Sequence, residues 1–453
     1  MTATKAGKTR RKVKSPIGKT PTHLNLFAYN VGFGDCFLLQ FVYGPTPADR
    51  RHVLVDFGTT GTGSQDSSAL MGDIALDIKK QCEGSGLDVV VATHRHADHI
   101  SGFATKDRGK GPGDVIASLK PKLVLQPWTE DLKLATNATG PRKKGLLPTN
   151  GNARAALALQ AMNNMAEQVT KLATEQASSL PKGMAERLEF LGRDNTKNIS
   201  AVENLARMGK AGRSAYAHFG IDDPMADLLP GVKTHVLGPP TVEQHPAMQK
   251  QRTTDDEFWH FNARSVATSN ALATDGTGPF HPGYVFAKKG KLPMESRWLA
   301  ARLTATRASQ LLGIVTMLDK AMNNTSLILL FEVAGKRLLF PGDAQIENWS
   351  YALSEPKIVE MLSAVDLYKV GHHGSLNATP KSLWNGFKKR GDAKRPGRMT
   401  AVLSTMANKH GCESKRTEVP RKKLVADLKH GTHFHSTEEL PSGQLYKLVR
   451  IDF

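Results

Sequence analysis

Cysteine is scarce in this chain of 453 residues: Cys36, Cys82 and Cys412 lie far apart, and no CxxC pair occurs. That excludes a disulfide framework and a cysteine zinc knuckle. It fits a reducing compartment, so a cytoplasmic location is expected. No apolar run approaches the roughly 18 residues that a membrane span needs, and no membrane partner is expected. The first residues lack the apolar stretch of a secretion signal. Acidic residues are also short in supply, 42 against 61 Lys and Arg, which gives a formal charge of +19.

The excess positive charge is uneven. Residues 1–20 hold seven Lys or Arg and no acid, and residues 381–430 hold fourteen against four acids. Together these two segments account for +17 of the total. Such segments attract a polyanion through Coulomb forces and counterion release, so nucleic acid is a candidate partner. A disordered arm and a solvated face are the plainer reading of the same charge.

The remaining pattern is alternating α/β. Residues 23–44 read as strand, Gly-x-Gly-Asp turn and strand, and 51–58 as a third strand. A helix is expected over 71–82, with buried strands over 87–94 and 120–128. Residues 140–230 turn rich in Ala, Met, Asn and Gln, with helical runs near 152–178 and 183–210. A further helical stretch spans 295–322, and 232–240 looks like a lone strand between them. Sheet character returns at 326–344, as two strands joined by an Ala-Gly-Lys turn, then at 364–375, 399–405 and 443–453. This order predicts a layered sheet-and-helix fold whose two halves pack as a sandwich. Four segments follow: a disordered basic arm over 1–20, a first half over 21–135, a helical insertion or accessory layer over 136–322, and a second half over 323–453.

Chemistry concentrates where strands end. The stretch "VVVATHRHADHISG" (89–102) runs a buried strand into His94, His96, Asp98 and His99. Side chains alternate along a strand, so both imidazoles of His-x-His face one side. A turn into a helix then brings Asp98 and His99 to the same space. Imidazoles with a carboxylate suit a borderline cation such as zinc. "LLFPGDA" delivers Asp343 from a second strand end, and "LYKVGHHGS" delivers His372 and His373 from a third. A carboxylate such as Asp343 can bridge two cations.

"THRHADHISG", with "VDFG" before it and "PGDA" and "VGHHGS" after it, resembles the metallo-β-lactamase-fold hydrolases. "VGFGDCFLL" and "NNTSLILLFEVAGKRLLFPGDA" are similar to the branch typified by the hydrolase domain of ComEC, the DNA-uptake channel protein. The resemblance covers about 23–128 and 323–453. It implies an αββα sandwich, here with a mainly helical insertion, and two divalent metal ions, zinc or else manganese. His94, His96 and Asp343 would hold the first ion. Asp98, His99, Asp343 and His372 would hold the second, with His373 as the alternate for His372. Asp98 would also orient the attacking water. Asp56 would sit behind the ligands and fix a histidine, whereas Asp35 reads as a turn residue.

The sequence departs from the fold's common pattern at "MNNTSL", where Asn323 or Asn324 stands in place of a further histidine. The first ion would then be held less tightly, be manganese, or recruit His235 or His260. His433 or His435 could serve as an acid. The resulting expectation is a metal-dependent hydrolase acting on phosphodiesters of nucleic acid or nucleotides. A hydrolase of small esters, thioesters or lactones is the alternative. A nucleic-acid-binding protein with a relict metal site is the second alternative.

Overall fold

The computed structural model describes residues 20–63, 66–106, 109–134, 140–142, 199–245, 322–411, 413 and 418–453. The basic arm up to residue 19, the helical runs expected at 152–178 and 295–321, His260 and Cys412 lie outside the described residues.

The first half begins with three antiparallel strands, β1 (His23–Tyr29), β2 (Cys36–Val42) and β3 (Arg50–Phe57). Helix α1 (Ser67–Gln81) follows. Asp66 caps it by accepting from the Ser68 and Ala69 amides, and Lys79 and Lys80 occupy its last turn. Its buried residues Met71, Ile74, Ala75 and Ile78 keep helical spacing and form one stripe against the sheet. Strand β4 (Val89–Val91) pairs in parallel with β3 and with β5 (Leu123–Pro127), which explains its unbroken valines: both faces are covered. Between β4 and β5 come the short helix α2 (Ala97–Ile100) and helix α3 (Pro112–Ser118). Helix α4 (Ile199–Ala211) and β6 (Ser214–Ala217) complete this side, β6 lying parallel to β5.

The second half starts with β7 (Val232–Gly238), β8 (Ile328–Val333) and β9 (Lys336–Phe340), paired antiparallel. Ala334 and Gly335, both at positive φ, make the tight turn between β8 and β9. Helices α5 (Ile346–Ser354) and α6 (Pro356–Ser363) lead to β10 (Leu367–Lys369). Helix α7 (Lys381–Gly386), β11 (Thr400–Leu403), helix α8 (Lys422–Gly431) and β12 (His433–Ser436) follow. Strand β13 (Tyr446–Asp452) then returns to the first sheet and pairs antiparallel with β1.

Two sheets result, ordered β13-β1-β2-β3-β4-β5-β6 and β12-β11-β10-β9-β8-β7. One apolar cluster lies between them, joining Leu39, Phe41, Val55 and Val91 to Leu329, Phe331, Phe340 and Val402. A second cluster packs α1, α3 and α4 on the outside of the first sheet. A third packs α5 to α8 on the outside of the second. The layers are therefore helix, sheet, sheet, helix, as expected. No helix among the described residues is long and apolar enough to cross a membrane.

The described part of 136–322, expected as a helical insertion or accessory layer, contributes strands as well as a helix. Its α4 and β6 extend the first sheet and its covering layer, and β7 edges the second sheet. Strand β7 is not alone, since it pairs with β8. Its partner lies some ninety residues downstream, so nothing local announces the pairing. Strand β6, short and half-covered, carries no alternating pattern to read.

Within β3 sits a fully buried histidine, His52, paired across to Gln40 of β2. Its Nδ1 donates to the Gly86 carbonyl at 3.0 Å, and its Nε2 accepts from Gln40 Nε2 at 3.0 Å, an arrangement for neutral imidazole. Burial holds its pKa down at about 4. The unfolded chain takes up a proton near pH 6.5 while the fold resists until about pH 4. His52 therefore supports the fold fully above pH 6.5 and loses that contribution as pH falls toward 4, on the order of 3 kcal/mol in all. Urea titrations of wild type and His52→Gln between pH 4 and 7 are expected to show a shallower loss of stability in the variant, by about one proton.

Candidate metal centre

The parallel strands of both sheets, β3 to β6 and β9 to β12, end at one edge of the sandwich, where α/β sheets place their ligands. Strand β3 ends on Asp56, held at a positive φ of 57° and almost fully buried. Its Oδ1 accepts from the Thr93 amide at 2.7 Å, and its Oδ2 from the Thr93 hydroxyl at 2.7 Å. The same Oδ2 lies 2.7 Å from Nδ1 of His99. Asp56 thus ties the end of β4 to α2 and takes the Nδ1 proton of His99, which turns the Nε2 lone pair inward. Gly58 makes the close approach possible, since a Cβ there would lie 2.5 Å from the backbone of both Ala97 and His99.

Asp98, His99, Asp343 and His373 converge, with ligand atoms all within 4.8 Å of one another. His99 Nε2 is 3.0 Å from Asp343 Oδ2. His373 Nε2 is 2.9 Å from Asp98 Oδ2, and its Nδ1 faces the Ser404 carbonyl at 3.2 Å. Both rings therefore spend their outer N–H on protein oxygens and aim Nε2 at a carboxylate. Two lone pairs facing each other at 3 Å require a proton or a cation between them. Among the described residues Asp98 Oδ1 and His99 Nε2 have no hydrogen-bond partner, a cost that a cation would remove. The four donors fit a divalent metal ion.

Charge in the cluster is mutually supported. Burial alone would lower the His99 pKa, but the carboxylates of Asp343, Asp56 and Asp98 reverse this and hold it well above its usual value. Burial would raise Asp98, yet His99 and the His373 hydrogen bond hold it low. Protons and a divalent ion compete for the same atoms. His94 behaves oppositely: burial, then His99 and His96, hold it well below its usual pKa, so it is a neutral imidazole.

His94 Nε2 lies 3.0 Å from His96 Nδ1, and the His94 and His99 rings stack at 4.2 Å. Between the two histidines, Arg95 reaches out to a bidentate pair with Glu130 at 2.7–3.0 Å, which anchors the loop. His94, His96 and Asp343 are not gathered into one tight group. Among the described residues no third imidazole, thiol or carboxylate donor joins the two histidines within 4.8 Å.

Of the doubled histidine, it is His373 that the fold brings into this cluster. His372 keeps a quarter of its side chain exposed and places Nε2 3.9 Å from Asp343 Oδ2, while its amide donates to Asp343 Oδ1 at 3.0 Å. Both residues sit in the left-handed region, φ 45° and 49°, followed by Gly374 at 86°. That strained turn lets one histidine point in and the other toward the mouth. His235 bonds Glu332 on β8 instead of joining the centre, and His433 and His435 lie on the outermost strand of the second sheet.

Two residues of the site carried no motif. Lys369 ends β10, is 2% exposed, and pairs with Asp35 Oδ2 while donating to the Gly342 carbonyl at 3.2 Å. Its Nζ is 3.6 Å from Asp343 Oδ1. Asp35, expected to be a plain turn residue, is fully buried and also lies 3.6–3.7 Å from His373 and His99. Burial would lower the Lys369 pKa, but Asp35 and Asp343 raise it above the usual value, so it is a fixed cation. A lysine inside an otherwise apolar strand was the available signal. His410 is the other: its ring packs on Phe33 at 4.2 Å, and Phe33 packs on His373 at 4.4 Å. Burial pushes its pKa down to about 3.

The basic segment 381–430 divides. Lys388 to Arg398 precede β11 and sit at the edge away from the centre, where Gly391 bonds Gly431 and Met399 bonds Lys389. Lys409 and Arg421 follow β11 and stay on the centre's side, Arg421 through its amide to Gly374 and Lys409 against Gly61.

Residues 29–136 match the family model of the metallo-beta-lactamase superfamily. No curated protein matches the chain. The matched segment contains β2 to β5 and the His94–His99 motif, and the chain has the superfamily's sandwich fold. Fold and buried cluster together point to a metal-dependent hydrolase.

Removing the Lys369 charge should leave Asp35 buried and unpaired. Lys369→Met is expected to destabilise the protein by about 3–5 kcal/mol in urea unfolding, and Lys369→Met/Asp35→Asn to recover most of that.

Proposed function

We propose that this protein is a hydrolase that uses divalent cations at the Asp98, His99, Asp343 and His373 cluster to cleave phosphodiester bonds of nucleic acid or nucleotides. The observation that carries the hydrolytic part is the convergence of these donor atoms, buried and aimed inward, from three separate strand ends. Bound cations would supply Lewis acidity and water of lowered pKa.

The chain's own residues do the rest. Asp56 fixes the His99 ring and its tautomer. Asp98 keeps one oxygen without a hydrogen-bond partner among the described residues, placed to accept a hydrogen bond from an attacking water and to orient it. Lys369 holds Asp343 Oδ1 while Oδ2 faces the imidazoles. His372, exposed beside the cluster, is placed to donate to a substrate oxygen. The phosphodiester reading is supported by the overall charge of +19 and by Lys409 on the centre's side of the sandwich. The Lys388–Arg398 cluster, at the opposite edge, would serve a polyanion long enough to reach both.

The test is turnover of single- and double-stranded DNA and RNA, bis-nitrophenyl phosphate and a chromogenic ester, with zinc or manganese. Phosphodiester cleavage is expected, and Asp98→Ala/His99→Ala should reduce it at least about 100-fold, since even residues behind metal ligands are worth about 10–100-fold. Ester hydrolysis without phosphodiester cleavage would overturn the substrate class and leave the hydrolase.

A further inference from the structure

We infer that the edge of the sandwich opposite the metal centre is a polynucleotide-binding surface, on which Lys388, Lys389, Arg390, Lys394, Arg395 and Arg398 hold the phosphate backbone of a long substrate. The surface stands on its own geometry. That it feeds the centre rests on the phosphodiester reading above, which it narrows from nucleic acid or nucleotides to polynucleotides.

Six Lys and Arg fall within residues 388–398, against one acid, Asp392. Like charges this dense repel one another and add nothing to the fold's stability. The loop that carries them is nevertheless well built. Lys388 donates its amide to the Ser363 carbonyl at 2.8 Å, Gly391 to Gly431 at 3.0 Å, and Met399 to Lys389 at 2.9 Å. These bonds tie the loop to the last residues of α6 and α8 and close it just ahead of β11. Two guanidinium groups brace it further. Arg395 donates to the Lys388 carbonyl, and Arg398 donates to the His430 carbonyl at 2.6 Å. Arg390 lies over the Trp384 ring, 4.7 Å from its centre. Carbonyls and a ring orient these cations without cancelling their charge. Lys388, Lys394 and Arg395 are exposed.

The acids nearby do not balance the loop. Among the described residues Lys389 is the only one of the six in an ion pair, with Asp366 at 2.7 Å, and that carboxylate is shared with Lys336 at 3.5 Å. Asp427 of α8 acts on Arg390 from beyond ion-pair distance. The first sheet treats the same edge differently. Lys122, ahead of β5, and Arg51, in β3, share Asp88 at 2.6 and 3.9 Å, and Arg213, ahead of β6, holds Asp227 at 2.8 Å. Cations at the strand beginnings are thus paired on the first sheet and left open over 388–398. Strand β1 also begins at this edge, since His23 pairs with Val42 and Val42 with Arg50, the first residue of β3. The seven Lys and Arg of residues 1–20 are therefore attached to the chain here.

A regular array of anions answers a fixed array of cations, and a phosphodiester backbone supplies one with release of its counterions. Strand β9 runs from Lys336 at this edge toward Asp343 at the other, about 20 Å at the rise of a strand. A strand of fewer than about six nucleotides, at about 3.4 Å each, falls short of that span. Only a longer chain engages both edges at once, and it gains from the second contact without any new group at the centre.

The experiment uses the full chain in four forms: wild type, Lys388→Gln/Lys394→Gln, the control Lys79→Gln/Lys80→Gln at the end of α1, and Asp98→Ala/His99→Ala. Metal is stripped, and binding of labelled single- and double-stranded DNA and RNA of about 30 nucleotides is followed by fluorescence anisotropy from about 50 to about 200 mM salt, beside each melting temperature. Wild type and Asp98→Ala/His99→Ala should bind with the same steep salt dependence. Lys388→Gln/Lys394→Gln should lower the slope of log K against log salt by about two, one per lysine, and weaken binding about 10-fold at the lower salt, with its melting temperature kept. The control should match wild type. With zinc or manganese restored, wild type should cleave the long strand with a kcat/KM at least about 10-fold above that for a strand of about four nucleotides, and the lysine variant should lose most of that advantage. An unchanged slope in Lys388→Gln/Lys394→Gln, or an equal fall in the control, would overturn the inference by making the charge diffuse. Loss of binding in Asp98→Ala/His99→Ala would overturn it by placing recognition at the centre. Absence of oligonucleotide binding would overturn it too, and binding to phosphatidylglycerol vesicles in its place would make the edge a membrane surface. Binding as expected without cleavage of any phosphodiester would keep the surface and overturn the proposed reaction.

Discussion

Four carboxylates, from Asp35, Asp56, Asp98 and Asp343, are buried within a few ångströms of one another at the meeting point of two sheets. Unscreened, such a group would repel itself out of any fold. Every notable feature of this edge answers that constraint. Lys369 supplies a permanent charge from the strand end, His99 and His373 supply titratable ones, and the Thr93 amide and hydroxyl take up both oxygens of Asp56. What remains is a concentration of inward-facing lone pairs that a small, doubly charged ion neutralises better than protons do. The site is a place where the fold is held together by the same charge balance that prepares it for chemistry.

The sandwich is what makes that concentration affordable. The inter-sheet cluster and the two outer clusters supply a continuous apolar frame behind the rim that gathers these carboxylates. The rim recruits strand ends from both halves of the chain. Asp98 and His373 meet across 275 positions of sequence, and Ser404 bonds Gly34 across 370. Contacts this distant form late, since they require both sheets to be in place.

Much of this was legible in the order of residues. Three valines running into His-x-His-x-Asp-His announce a central strand and a ligand-bearing turn, because the strand period is local and the ligand types are distinctive. Asp343 and the histidine pair were legible for the same reason. Lys369 and Asp35 were not: an ion pair closed over more than three hundred residues leaves no local spacing, and each residue alone looks like a strand or turn position. The choice between His372 and His373 was undecidable in one dimension. It depends on two consecutive left-handed residues, which sequence pattern does not reveal for histidine. Strand β6 and the pairing of β7 escaped for a related reason, as both are edge strands whose neighbours lie far along the chain.

Strand β13 pairs with β1 over seven registered positions, His23 with Asp452 through Tyr29 with Tyr446. During synthesis β1 emerges well before its outer partner, with the other described strands between them. Until β13 has been made, β1 stands at the margin of the nascent sheet with one flank of amides and carbonyls open. Such a margin is a template for pairing with other chains. Closing it waits until β13, about four hundred residues after β1, has been made, and the interval before closure is when this molecule has most need of a chaperone.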